Sequence, residues 1–221
     1  MLPLIPCNIH IAHNAFRAGL DSIGEDAEEL ALDIHRWLHL SPCHTYDYLD
    51  VQMDFDMDLD QSLFIRHVQS RWLTLTAALE RIVQKWAVLE EYFLVKAPQL
   101  AAKQSKQAEK YLRENSWYKR ICQKLRSATM LSEIHFIINV GKHLDKFLLF
   151  FQTEGPLIHL LYDELNSTLR SIMLCFLKQD VVGEKRGNEL ISIDLNKTEN
   201  YLNVKQMDVG QKTRKAMEAH S

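Results

Sequence analysis

A stripe of apolar side chains at helical spacing dominates the middle of the chain. Between residues 72 and 93, large apolar residues recur every three or four positions, and mostly polar residues lie between them. This pattern predicts one amphipathic helix of about six turns that opens at Arg71 and Trp72 and ends at Pro98. A stripe of this width is typical of a helix that packs into a bundle. Its members are Trp72, Leu75, Leu79, Ile82, Val83, Trp86, Leu89 and Phe93.

Helical periodicity also covers most of the remaining chain. A short helix or turn is expected at 61–68, and a loop at 41–60. Two strand-like runs, 1–5 and 190–195, are too few for a parallel sheet, and a polar tail without clear periodicity follows the second. The pattern therefore predicts a mainly α fold with about seven helices. The further helical segments are 7–20, 26–40, 99–126 (one or two helices), 129–152 and 156–176.

Composition places the chain among globular proteins. Hydrophobic residues make up 47% of the 221 residues, yet no apolar run approaches the roughly 20 residues of a membrane helix. The four cysteines are scattered, without the density of a secreted disulfide framework. We expect reduced thiols, no membrane partner and an intracellular location.

Charge is distributed unevenly along the chain. Residues 21–60 hold twelve acids against one base, whereas residues 103–126 hold eight bases against two acids. Bases clamp phosphates and aromatic rings stack on nucleobases, so the basic stretch, with Tyr111, Trp117 and Tyr118, is the best candidate for binding nucleic acid. The alternative is a solvated helical face whose aromatic rings lie in the core. The candidate contacts are Lys110, Arg113, Lys119, Arg120 and Lys124.

Candidate metal and catalytic motifs are incomplete. Cys7 and His10 have a C-x-x-H spacing, but a structural zinc needs four ligands. The acidic run 54–60 lacks the glycine and glutamate of a calcium loop. His35 and His39 form an i, i+4 pair without the H-E-x-x-H motif, and the chain has no phosphate-binding glycine loop. These patterns predict no metal, no cofactor and no catalytic residue.

Several stretches, taken in order, resemble hAT-superfamily transposases. Residues 7–15 (CNIHIAHNA) resemble the family's C-x-x-H-x-x-x-N segment, and residues 67–75 (HVQSRWLTL) resemble its Arg-Trp signature. Residues 78–93 resemble the helix that follows in domesticated hAT-like proteins, and residues 193–210 resemble the close of the region. The resemblance spans nearly the whole chain. The matching motif positions are Cys7, His10, Asn14, Arg71 and Trp72.

This resemblance implies a ribonuclease H-like fold interrupted by a large helical insertion. In the family, two aspartates and a glutamate hold two metal ions, Mg²⁺ or Mn²⁺, for strand transfer. The first two acids precede the C-x-x-H segment and the third follows the insertion, so we expect this chain to lack the triad. His10 would match the histidine near the active site, and Arg71 with Trp72 the pair near the DNA end.

The domain expectation follows from the same resemblance. Residues 1–72 would be a remnant of the ribonuclease H-like fold, residues 73–182 an all-helical insertion domain, and residues 183–221 a charged turn, an extended segment and a flexible tail. The expected function is a catalytically inactive, transposase-derived protein that binds nucleic acid. The alternatives are a helical protein–protein interaction module, which could form a homo-oligomer, or a nonfunctional pseudogene product.

Overall fold

The chain folds as a mainly helical protein, as the periodicity predicts. The computed structural model describes residues 8–23, 26–55, 64–68, 73–152 and 157–219, excluding the side chains of residues 8–10, 12, 13, 73 and 158. Within these ranges there is no β-strand, and an isolated antiparallel bridge joins Leu177 and Tyr201. The predicted strand at 1–5 lies outside the described residues, and the ribonuclease H-like remnant stays a prediction.

The first two helices, α1 (Asn8–Ile23) and α2 (Asp26–His39), confirm the predictions for 7–20 and 26–40. The predicted loop at 41–60 is wrong over its first part, because α3 occupies Pro42–Asp54. Pro42 lies in the first turn, where its missing N–H costs nothing, and the Ser41 hydroxyl accepts a bond from the His44 backbone N–H. Residues 64–68 are not helical, which corrects the described part of the prediction for 61–68.

The central amphipathic segment is interrupted and longer than predicted. It comprises α4 (Leu73–Gln84), α5 (Trp86–Glu90), a π-helical turn (Glu91–Lys96) and α6 (Ala97–Gln104). The prediction that Pro98 ends the helix is wrong. Pro98 lies in the first turn of α6, directly after the π-helical turn, so its ring disrupts no regular α-helical hydrogen bond. Most of the stripe is buried, as expected, with Leu75, Leu79, Ile82, Leu89 and Phe93 no more than 1% exposed.

Two short polar helices and one long apolar helix follow. The prediction for 129–152 is confirmed, whereas that of one or two helices over 99–126 is only partly right, because residues 99–104 belong to α6. They are α7 (Lys106–Glu114), α8 (Ser116–Leu125) and α9 (Met130–Phe150). Ser105 caps α7 by accepting from the Ala108 N–H, and Asn115 caps α8 by accepting from the Tyr118 N–H. These caps explain why the basic stretch divides into two helices.

The C-terminal part is more helical than predicted. A 3₁₀ turn (Leu157–Leu160) leads into α10 (Leu161–Leu174), which agrees with the described part of 156–176. Then come α11 (Gln179–Val182), α12 (Asn188–Ile191), a 3₁₀ turn (Thr198–Asn200) and α13 (Gln211–Glu218).

This arrangement corrects two predictions, that of an extended segment at 190–195 and that of a flexible tail. The apolar residues of 190–195 alternate, but Leu190 and Ile193 are three residues apart and both pack into a small cluster with Leu177 and Val182. The tail ends in α13, which packs against α9 and buries Thr213.

One large hydrophobic core connects helices from α1 to α9. It includes residues on both sides of residue 72, such as Ile34 of α2 and Ile82 of α4, while the small C-terminal cluster lies apart from it. No helix in the described ranges is both long and apolar enough to cross a membrane.

Candidate nucleic-acid interface

The acidic and basic regions of the sequence meet where α2 packs on α8. The guanidinium group of Arg120 donates from Nε and Nη2 to the two carboxylate oxygens of Asp33, each at 2.7 Å. Asp33 is fully buried, and Arg120 Nε also lies 3.2 Å from Glu29 Oε1. These bidentate, charge-assisted hydrogen bonds raise the pKa of Arg120 and fix its side chain on α2.

Lys124 lies one turn further along α8 and shares Glu29 with Arg120. Its buried ammonium donates to Glu29 and lies 3.4 Å from Asp26 Oδ1. Arg120 and Lys124, two of the predicted nucleic-acid contacts, are therefore neutralised within the chain. Binding a phosphate there would require breaking these ion pairs first.

The other face of α8 borders a groove that we call the basic groove. It lies between α6, α7 and α8 and has a volume of about 670 Å³. Arg113, Lys119 and Arg126 are exposed at its edge and form no ion pair with another described residue. Its inner surface is largely apolar, formed by Pro98, Ala101, Leu112 and Cys122.

Helical spacing explains this division of charge. Arg120 and Lys124 are four residues apart and face α2, whereas Lys119 and Arg126 are seven residues apart and face the groove. Arg126 was not among the predicted contacts, although its spacing from Lys119 was a usable signal. Lys110, the remaining predicted contact, is exposed and lies 3.9 Å from Glu114.

The three aromatic residues of the basic stretch have different surroundings. The Tyr118 hydroxyl donates to the Phe93 carbonyl at 2.6 Å, and its ring lies 5.5 Å from that of Trp37. Burial raises the pKa of Tyr118 and keeps its hydroxyl protonated. Tyr118 is half-buried, packs against the core and also lines the basic groove. Trp117 is likewise half-buried, and Tyr111 is 56% exposed. Of the three, Tyr111 is the most exposed, but it does not line the groove.

The family-motif positions are only partly described. Arg71, Trp72, Cys7 and the side chain of His10 lie outside the described residues, and Asn14 is exposed on α1.

His67 lies close to the Arg-Trp pair in sequence and forms a buried polar contact that the sequence did not indicate. Its Nε2 is 2.9 Å from Glu28 Oε1, and its Nδ1 is 2.9 Å from Thr74 Oγ1. The Val68 N–H donates to the same hydroxyl at 3.0 Å. These contacts fix the chain immediately before and after residues 69–72.

A cysteine–histidine contact joins α9 and α10. Cys175 Sγ lies 3.8 Å from His143 Nε2, and His143 Nδ1 lies 2.9 Å from Ser171 Oγ. Burial raises the pKa of Cys175 and lowers that of His143, which favours a neutral thiol over a reactive thiolate. Among the described side chains, no group of three or more histidine, cysteine, aspartate or glutamate residues is placed to hold a metal ion.

Comparison with protein-family models, with curated proteins and with solved structures finds no match to this chain.

Proposed function

We propose that this chain binds nucleic acid through the basic groove, contacting the phosphate backbone, and that it does not cleave or join strands. The observation that carries the proposal is the grouping of Arg113, Lys119 and Arg126, all exposed and without an ion-pair partner among the described residues, around one depression. Three such cations repel one another unless an anion lies between them, and a phosphate supplies that charge.

Some of the acidic side chains that would repel a phosphate backbone already form ion pairs within the chain. The net charge of the chain is −3, but Asp26, Glu29 and Asp33 of α2 face Arg120 and Lys124. Their negative field is weakened close to α8, where the groove lies. The resemblance to hAT transposases agrees with a nucleic-acid partner and a nuclear location, and Arg71 with Trp72 would supply a second contact.

Charge reversal tests the proposal directly. The double variant R113E/K119E should weaken binding to a fluorescent oligonucleotide at least about tenfold at low salt, because two phosphate contacts become repulsive. The matched control K197E/K205E changes the net charge equally at exposed lysines outside the groove. Anisotropy titrations in which both variants lose affinity equally would show that only net charge matters and would refute the site.

Catalytic inactivity is tested on the same protein. We expect no strand cleavage in Mg²⁺ or Mn²⁺, because the resemblance matches no position within this sequence to the family's metal-binding acids. Metal-dependent cutting that His10→Ala abolishes would contradict this part of the proposal.

A second candidate function, self-association, is favoured by an open apolar groove. We call it the apolar groove: it lies between α1, α9 and α10 and has a volume of about 560 Å³. Ile11, Ile23 and Leu165 line it and are each about half exposed, at 50%, 48% and 50%. Exposed apolar patches of this kind mark interfaces, and we propose a second copy of the chain as the occupant.

Light scattering coupled to size-exclusion chromatography tests this candidate. The chain should elute as a dimer, and Leu165→Lys should yield a monomer because it places a charge in the apolar groove. Leu149→Lys is the matched control, since Leu149 is 57% exposed on α9 and does not line the groove. A monomeric unmodified chain would rule this function out.

A further inference from the structure

We propose that the basic groove selects an unpaired nucleotide strand over a duplex, an inference that rests on the proposed function. The groove is not a flat cationic surface. Its cations are exposed, whereas the apolar residues Leu112 and Ala101 that also line it are buried and Pro98 is half-buried. A phosphate gains nothing from an apolar surface, whereas the face of a nucleobase does.

The dimensions of the groove agree with this ligand. Its volume of about 670 Å³ falls within the range of pockets that enclose small molecules, so a base with its sugar fits inside. In a duplex the base faces are covered by stacking, and only their edges are exposed in the grooves. A duplex could therefore reach the exposed cations but not the less exposed apolar residues.

Two polar side chains in the lining suit a base more than a phosphate. Glu109 is the one acid among the lining residues, and its carboxylate repels phosphate but accepts hydrogen bonds from an exocyclic amino group. Gln123 can donate to or accept from a base edge. A single strand can place its phosphates near Arg113, Lys119 and Arg126 and turn one base toward the apolar residues. It then contacts both the charged and the apolar residues of the groove.

The test compares three fluorescent ligands of equal length: a single-stranded 15-mer, its duplex, and an abasic 15-mer with the same phosphates. Anisotropy titrations should give an affinity for the single strand at least about tenfold higher than for either of the others. Phosphate attraction alone would favour the duplex, which carries twice the charge. Equal affinities, or tighter duplex binding, would overturn the inference and leave the proposed function intact, whereas failure of all three to bind would refute both.

Cysteine alkylation locates the strand within the molecule. Cys122 lines the basic groove and Cys175 does not, yet both are buried and burial raises the pKa of both thiols. The single-stranded 15-mer should slow alkylation of Cys122 at least about threefold while leaving Cys175 unchanged, as followed by mass spectrometry. Equal slowing at both thiols, or none, would place the strand elsewhere and overturn the inference.

Discussion

Arg113 and Arg120 belong to one basic stretch, but their guanidinium groups have opposite surroundings. Arg120 is held by two hydrogen bonds to Asp33, which is fully buried, whereas Arg113 is exposed at the edge of the basic groove. The sequence could identify the stretch as basic but could not separate the two residues, because Asp33 lies 87 positions away from Arg120. Long-range partners of this kind leave no local signal.

This difference predicts that removing each side chain changes the free energy of unfolding by a different amount. Arg120→Ala should lower the free energy of unfolding by about 2 kcal/mol, since among the described residues it leaves the buried Asp33 carboxylate with Arg36, at 3.8 Å, as its one ion-pair partner. Arg113→Ala should change it by no more than about 0.5 kcal/mol. Urea denaturation followed by circular dichroism measures both. Equal stabilities would mean that the Arg120–Asp33 pair does not hold α2 on α8.

At the scale of elements, two prolines show how well the position of a proline in the sequence predicts the end of a helix. Pro98 was expected to end a helix, and α2 ends before Pro42. Each proline nevertheless lies in the first turn of another helix, α3 or α6. A proline limits which hydrogen bonds a helix can form, but it does not determine whether the chain resumes helical structure afterwards. The capping serine before Pro42 was the available signal.

The contact between α4 and α9 depends on a glycine. A methyl group added to Gly141 would lie 2.9 Å from Thr76 Oγ1, which is too close without movement of one helix or of the threonine. Gly19 on α1 is the matched control, because nothing lies within 4 Å of the same position there. Alanine is otherwise favoured over glycine in a helix by about 1 kcal/mol.

We therefore expect Gly19→Ala to stabilise the protein by up to about 1 kcal/mol and Gly141→Ala to destabilise it by about 1 kcal/mol. Thermal denaturation of the two variants gives the comparison. The double variant G141A/T76A removes the hydroxyl and the γ-methyl group of Thr76, both within 4 Å of the added methyl group, and should reduce the penalty at Gly141. A Gly141→Ala variant as stable as Gly19→Ala would show that α4 and α9 are not in close contact at this point.

At the scale of the whole molecule, apolar periodicity predicted most helices but not their partners. It identifies the face of a helix that is buried, and says nothing of the element that covers it. The packing of α8 on α2 and of α13 on α9 both escaped prediction for this reason. The same limit applies to the site. The sequence identified the basic stretch as a candidate for binding nucleic acid, but the groove depends on how α6, α7 and α8 pack together. Transposase ancestry stays a prediction.

Salt dependence tests the central claim, that the basic groove binds the phosphate backbone, most directly. Three phosphate contacts to a single strand predict a slope of about −2 in a plot of log affinity against log salt concentration. The variant R113A/K119A/R126A should bind weakly, with a slope smaller in magnitude by about 2. The variant K197A/K205A/K215A, altered at exposed lysines outside the groove, should keep the original slope. An unchanged slope in the groove variant would contradict the account.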